Sequence, residues 1–147
     1  MSLLDLPAFT TASPVLREAA LKLRTTESTL TIAAPLDEHG IFASTLLEAA
    51  LLDAGIPYQR RLRENPTPAN GPSIVIDSAP VSQLQSITTG PLCIHLAPLE
   101  VEALVASGGD SRRGLLSSVA LAAALGHSIA PSGALSRLLM PWILAGN

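Results

Sequence analysis

Acidic residues and histidines follow three apolar runs of the sequence that have the composition of β-strands. Asp37 and His39 come after the run TLTIAA, Asp77 ends the run SIVID, and His95 closes the run PLCIH. Because ligands of open α/β sheets bind at the carboxyl ends of the strands, these four side chains are the candidates for chemistry. Two imidazoles and two carboxylates form a legitimate ligand set for one metal ion such as zinc.

A purely structural reading of the same four residues stays open. Asp37 can cap the helix that begins near Gly40, and Asp77 can bond to its own turn, with both histidines exposed. We favour this reading over a metal site, because the four residues lie on three separate segments without motif spacing.

Other kinds of site lack their motifs. Gly40 follows a strand and opens a helix, but no further glycine and no Gly-Lys-Ser/Thr follows at phosphate-binding spacing. No serine lies in a Gly-x-Ser-x-Gly elbow. Arg60, Arg61 and Arg63 could contact phosphate, but a solvated strand end is the better interpretation, so we expect no strong autonomous nucleic-acid binding. Cys93, within an apolar run, is interpreted as an inert core residue.

The composition predicts one soluble domain over residues 1–147. Of 147 residues, 48% are hydrophobic and 14% are charged, enough apolar material to bury a core and leave apolar surface for a partner. No apolar run reaches the roughly 18 residues of a membrane span. The N-terminus carries Asp5 and Pro7 and no basic region, so no secretory signal is predicted. A single cysteine fits a reducing, cytoplasmic location.

Strands and helices are predicted to alternate. A first helix, capped by Ser13 with Pro14 in its first turn, belongs to a helical lead-in over residues 1–27. A second helix ends at Gly55, a good C-cap. The predicted strands cover residues 29–34, 56–62, 73–77 and 91–96. The later helices are predicted over residues 41–54, 98–106, from Asp110 or Ser111 to about Leu125, and 132–144.

This order predicts an α/β fold. Helices that alternate with apolar, β-branched strands are typical of a mostly parallel sheet with helices on both faces. We expect a sheet of about four to five strands. The loop over residues 64–72 contains three prolines and is interpreted as an excursion within the one domain.

Several segments resemble a known family. TIAAPLDEHGIFASTLLEAALLDAGIPYQ is similar to the opening segment of the DHH phosphoesterase superfamily, which includes the RecJ nucleases. In that family a strand runs into an H-x-D-x-D-G-like turn and then into an alanine-rich helix. SIVIDSAP resembles the second motif, a strand that ends in a metal-binding aspartate, and PLCIHLAP stands where the strand before Asp-His-His lies. The resemblance covers residues 28–147 and implies the fold of the DHH N-terminal domain.

The resemblance also implies that most metal ligands have been lost. These enzymes hold two manganese ions in a cage of Asp and His that activates water and clamps a phosphate. By motif position Asp37 and Asp77 are retained, whereas the second aspartate of the first motif becomes His39.

The remaining family positions are changed to poor ligands. The first histidine corresponds to Pro35, the Asp-His-His triplet reads His95-Leu96-Ala97, and the final aspartate corresponds to Asn147. Because a bimetallic centre needs several hard oxygen and imidazole ligands at once, we expect no such centre, no catalytic residues and no cofactor. The four side chains named at the outset are then remnants of a degenerate site.

A degenerate domain of this family resembles the RecJ-like subunit of archaeal and eukaryotic replicative helicase assemblies. That subunit joins the GINS complex and the MCM motor. The resemblance therefore implies a non-catalytic scaffold in DNA replication or repair, cytoplasmic or associated with the nucleoid. The alternatives are a manganese- or zinc-dependent phosphodiesterase or exonuclease with a rearranged site, and a generic α/β ligand-binding module.

The C-terminal segment is the predicted partner-binding surface. The helix expected over residues 132–144 carries large apolar side chains, which could equally pack on the chain's own core. These side chains are Leu138, Leu139, Met140 and Trp142.

Overall fold

The computed structural model describes residues 3–87, 91–105, 110–134 and 138. Two short 3-10 helices, Leu3–Asp5 and Pro7–Phe9, precede the first α-helix. The α-helices are α1 (Ser13–Thr25), α2 (Glu38–Ala54) and α3 (Ser118–Ile129). The strands are β1 (Leu30–Pro35), β2 (Tyr58–Arg63), β3 (Ser73–Ile76), β4 (Gln85–Ile87), β5 (Cys93–Leu96), β6 (Leu99–Val105) and β7 (Asp110–Leu116).

Five of these strands form one sheet in the order β2-β1-β3-β5-β4. Neighbours among β2, β1, β3 and β5 run parallel, and β4 pairs antiparallel with β5 at one edge. The prediction of an α/β domain with a mostly parallel sheet of about four to five strands, flanked by helices, is confirmed. The described helices α1, α2 and α3 all contribute to the apolar cluster on one face of this sheet, so the predicted helices on the second face are not seen among the described residues. In the described part of the chain, no helix is both long and apolar enough to cross a membrane.

The strand register sorts the side chains onto two faces, because successive side chains of a strand point in opposite directions. Ile32, Ile74 and Ile94 are paired across β1, β3 and β5, and all three are fully buried. They belong to one large apolar cluster with residues of α1, α2 and α3. On the opposite face, Ala33 and Val75 form a small separate cluster with Cys93.

Helix α2 is anchored at both ends by the residues that the sequence offers for this purpose. The carboxylate Oδ1 of Asp37 accepts a hydrogen bond from the backbone N–H of Gly40 at 2.8 Å. At the other end Gly55 adopts the left-handed conformation with φ 71°, which glycine reaches without a Cβ penalty. The helix between them is apolar on most sides, and it packs against both the sheet and α3.

Residues 98–105 do not form the helix that is predicted over residues 98–106. They contain β6, which pairs antiparallel with β7 in a separate two-stranded sheet. The segment LEVEALV alternates apolar and acidic residues over its first four positions, which suits a strand with one face inward. Glu100 and Glu102 are successive residues of one face of the strand.

The predicted caps of two helices are also wrong. Asp110 and Ser111 do not begin a helix, because they are the first residues of β7. Helix α3 begins later, where the hydroxyl of Ser117 accepts from the N–H of Ala120 at 3.1 Å. Ser13 does not cap α1 but lies inside its first turn, and its hydroxyl accepts from Arg17 Nε at 2.9 Å.

Candidate functional site

The structure brings together two of the four candidate residues. Asp77 follows β3 directly, and its backbone N–H donates to the carbonyl of Leu96 at 2.9 Å. The register pairs Val75 with His95, so the Asp77 side chain lies on the same face as His95 and diagonally across from it. The His95 Nδ1 lies 2.8 Å from Asp77 Oδ2, and about a third of each side chain is exposed. Asp77 therefore bonds to another strand rather than to its own turn.

The second ring nitrogen of His95 faces Cys93. The two residues are two positions apart on β5, so their side chains share a face. The Cys93 Sγ lies 3.6 Å from His95 Nε2. Because an ionised carboxylate only accepts, Nδ1–H is the donor to Asp77, and with the sulfur beside Nε2 both nitrogens of the ring have a partner.

Cys93 itself is held as a neutral thiol. Its side chain is buried, and this burial raises the pKa of the thiol above its ordinary value, with the nearby charge of Asp77 raising it further. A thiol of raised pKa is a poor nucleophile, because the thiolate is the reactive form. These properties agree with the interpretation of Cys93 as an inert core residue.

A cavity of about 320 Å³ adjoins the Asp77–His95 pair. It lies at the carboxyl ends of the parallel strands, where the topology predicts ligand binding. Besides Asp77 and His95, its polar lining consists of Glu64, Asn65, Ser78 and Gln83. Neither Glu64 nor Gln83 could be predicted as a site residue, because both lie in loops whose path depends on the assembled sheet.

Asp37 and His39 are used elsewhere. Asp37 caps α2, as the structural reading predicts, and His39 is an exposed residue of the first turn of that helix. Within residues 3–87, 91–105, 110–134 and 138, no group of three His, Cys, Asp or Glu side chains could hold a metal ion. The convergence of all four candidates on one ion is thus not seen.

The substituted family positions are filled by buried apolar residues. Pro35 is buried at the end of β1. Leu96 is fully buried and Ala97 is 2% exposed. Gly40 packs tightly against the same strand end, since a Cβ added there would overlap the carbonyl oxygen of Pro35. Where the resemblance places metal ligands, the chain instead has tight helix–strand packing.

The basic cluster lies on β2, an edge strand of the sheet. Arg60 Nε forms a salt bridge with Glu48 Oε1 of α2 at 2.9 Å. Arg61 and Arg63 lie on the opposite face of β2 from Arg60, and both are exposed. Their exposure agrees with the interpretation of a solvated strand.

The predicted partner surface is described at one position. Leu138 is 73% exposed, somewhat more than other exposed leucines of the chain such as Leu21 and Leu36, at 62% each. The other three residues of that surface lie outside the described residues, as does Asn147. They are Leu139, Met140 and Trp142.

Comparison of the chain with protein-family models, with curated proteins and with solved structures gave no match. The resemblance to DHH phosphoesterases therefore rests on the sequence motifs.

Proposed function

We propose that the chain is a non-catalytic scaffold, similar to a RecJ or DHH domain, that binds a protein partner in DNA replication or repair. The observation that supports the proposal best is the closed contact between Asp77 and His95. By the resemblance these are the remnants of two motifs of the family. They are hydrogen-bonded to each other, with 2.8 Å between His95 Nδ1 and Asp77 Oδ2. The second ring nitrogen of His95 lies 3.6 Å from the sulfur of Cys93, so both nitrogens already have a partner within the protein.

The other family positions support the same proposal. A bimetallic phosphoesterase needs several carboxylates and imidazoles that converge on two ions. Asp37 is engaged in capping α2, and Leu96 and Ala97 are buried among apolar neighbours. Restoring ligands at these positions would require polar groups in the core, which are costly unless they are paired. We therefore propose that the domain has no resident metal cofactor.

The proposed partner is a replication complex of the GINS or MCM type. The resemblance names this class of partner, and the exposed Leu138 supports an apolar contact surface near the C-terminus. Leu139, Met140 and Trp142 are proposed to contribute to the same surface. The proposed location is the cytoplasm, in association with the nucleoid where the cell has one.

A cleavage assay tests the absence of catalysis. The protein is incubated with manganese and a labelled single-stranded oligonucleotide or a dinucleotide, beside an active RecJ enzyme as positive control. We expect no cleavage above background. Metal-dependent cleavage that disappears in Asp77→Ala would overturn the scaffold proposal in favour of a phosphodiesterase.

The cavity of about 320 Å³ is the observation that favours this second candidate function. It lies beside Asp77 and His95, and the exposed carboxylate of Glu64 adds a further oxygen ligand at its rim. A phosphodiesterase with a rearranged site would use this cavity, so Glu64→Gln should also abolish any cleavage that is observed.

An affinity pull-down tests the partner. The tagged chain is used as bait in lysate of its own cells, and mass spectrometry identifies what is retained. We expect subunits of the GINS or MCM complexes, with Leu138→Glu reducing their recovery. A chain that stays monomeric and retains neither complex would refute the replication scaffold.

A further inference from the structure

Strand β2 is an open edge that carries uncompensated positive charge. It is the first strand in the sheet order, and it pairs only with β1 among the described strands. An edge strand presents a row of backbone N–H and C=O groups that another extended chain can bind. We propose that β2 accepts an extended acidic segment of a protein partner by strand addition. The inference rests on the scaffold function proposed above and names a surface for it.

The pairing with β1 identifies the free backbone groups. The N–H of Leu30 donates to the carbonyl of Pro57 at 3.0 Å. In a parallel pair every second residue directs its backbone groups toward the neighbouring strand, so residues 57, 59, 61 and 63 face β1. The outward groups of β2 therefore belong to Tyr58, Arg60 and Leu62. No described backbone group binds them from the outside.

The side chains of β2 define what an incoming strand should carry on each face. On the helix-bearing face, Tyr58 and Leu62 are half-buried, and Arg60 is neutralised by Glu48. On the opposite face, Arg61 and Arg63 are exposed, and no described carboxylate pairs with either. One face is thus apolar and neutral, whereas the other bears two positive charges.

Strand addition places the partner's side chains alternately on these two faces. Acidic side chains at every second position would lie beside Arg61 and Arg63. The intervening apolar side chains would lie beside Tyr58 and Leu62. The partner segment is therefore an extended one in which acidic and apolar residues alternate.

The arginines of β2 could also have a protective role, and the experiment has to distinguish it from partner binding. Charged side chains on an edge strand also prevent unwanted pairing, because they are costly to cover. Under that role β2 would bind no strand, whatever its sequence. Under the proposed role β2 binds only a peptide in which acidic and apolar residues alternate.

Three labelled peptides in a fluorescence anisotropy titration make this distinction. In the first peptide Glu and Val alternate, in the second the same residues are rearranged with the Glu contiguous, and the third is the first peptide with every second amide N-methylated. We expect the first to bind most tightly, because only it combines the charge pattern with a free backbone. Equal affinity for all three, or no binding of the first, would overturn the proposal.

Matched variants test the charge on the protein. We expect Arg61→Glu to weaken binding of the alternating peptide roughly five-fold, since an exposed charge pair contributes modestly and reversal adds repulsion. Lys22→Glu makes the same charge change on α1 and should leave the affinity unchanged. Equal weakening by both variants would show a general charge effect and refute a site on β2.

The peptide titration and the pull-down can fail independently, so this proposal and the scaffold proposal are tested separately. A chain that binds no peptide but retains a replication complex keeps its scaffold function and loses this surface. A chain that binds the alternating peptide but retains no such complex keeps the surface and loses the named partner.

Discussion

The carboxylate of Asp77 and the imidazole of His95 lie 2.8 Å apart, on adjacent parallel strands and 18 residues apart in the sequence. Their contact lies at the edge of the sheet at which an α/β domain usually binds its ligand, beside the cavity of about 320 Å³. It converts two potential metal ligands into a hydrogen-bonded pair with a neutral thiol beneath it. The non-catalytic function proposed for the chain depends on this pair more than on any other contact.

The strength of the pair can be measured by a double-mutant cycle. We expect Asp77→Ala and His95→Ala to show a coupling free energy of about 0.5–1 kcal/mol in urea unfolding, because the hydrogen bond is partly exposed. Asp77→Asn retains an acceptor and should cost less than Asp77→Ala. A coupling energy indistinguishable from zero would mean that the two side chains do not interact in solution.

Asp37 should contribute to stability as a helix cap. Asp37→Ala removes the acceptor for the N–H of Gly40 and is expected to lower the free energy of unfolding by about 1 kcal/mol. Asp37→Asn is the matched control, because asparagine caps helices almost equally well. If the asparagine variant is as unstable as the alanine variant, capping is not the role of this residue.

Gly40 should tolerate no side chain. Alanine would gain up to about 1 kcal/mol of helix propensity, but its Cβ would overlap the carbonyl oxygen of Pro35. Overpacking typically costs about 1–3 kcal/mol, so we expect Gly40→Ala to be clearly destabilising in thermal or urea unfolding.

Gly71→Ala provides the control for this substitution. A Cβ at Gly71 would meet nothing within 4 Å, and the variant should be neutral or slightly more stable. Equal stability of the two alanine variants would contradict the tight packing of α2 against β1.

Tyr58 should titrate above the ordinary tyrosine pKa of about 10. Burial raises its pKa most, and the charge of Glu48 and a hydrogen bond to that carboxylate raise it further, against a lowering effect of Arg60. Because the chain has one tyrosine, the ultraviolet absorbance of tyrosinate reports this group alone.

The variant Glu48→Gln should lower the titration midpoint of Tyr58 without removing the effect of burial. An unfolded tyrosine ionises before the folded one, so the stabilisation from this residue is present below pH 10 or so and is lost as the pH rises through the folded pKa. An unchanged midpoint in Glu48→Gln would show that Glu48 does not act on the phenol.

The strands of the parallel sheet were predictable because their residues leave few alternatives. The run SIVID predicts a strand over residues 73–77, and β3 covers Ser73–Ile76. A continuous β-branched run loses little side-chain freedom in a strand and is buried on both faces of a central one. The end of α2 was predictable for an equally local reason, because glycine at position 55 reaches the left-handed conformation readily.

The hairpin of β6 and β7 was not predictable in this way. LEVEALV combines alternation with acids in the positions that also suit the start of a helix, so local preference does not decide between the two. The seven-residue register from Leu99↔Leu116 to Val105↔Asp110 decides it, because backbone groups that pair over such a length leave none to a helix. That pairing partner lies later in the sequence and becomes available only in the folded chain.

The sequence by itself determined the type of the domain and the strand ends at which polar side chains appear. It identified Asp37, Asp77 and His95 as candidates and offered a cap as one role for Asp37. Only the tertiary structure decided which candidates meet, because the order of β1, β3 and β5 and their register set the distances between strand ends. That order pairs Asp77 with His95 and leaves Asp37 to its helix.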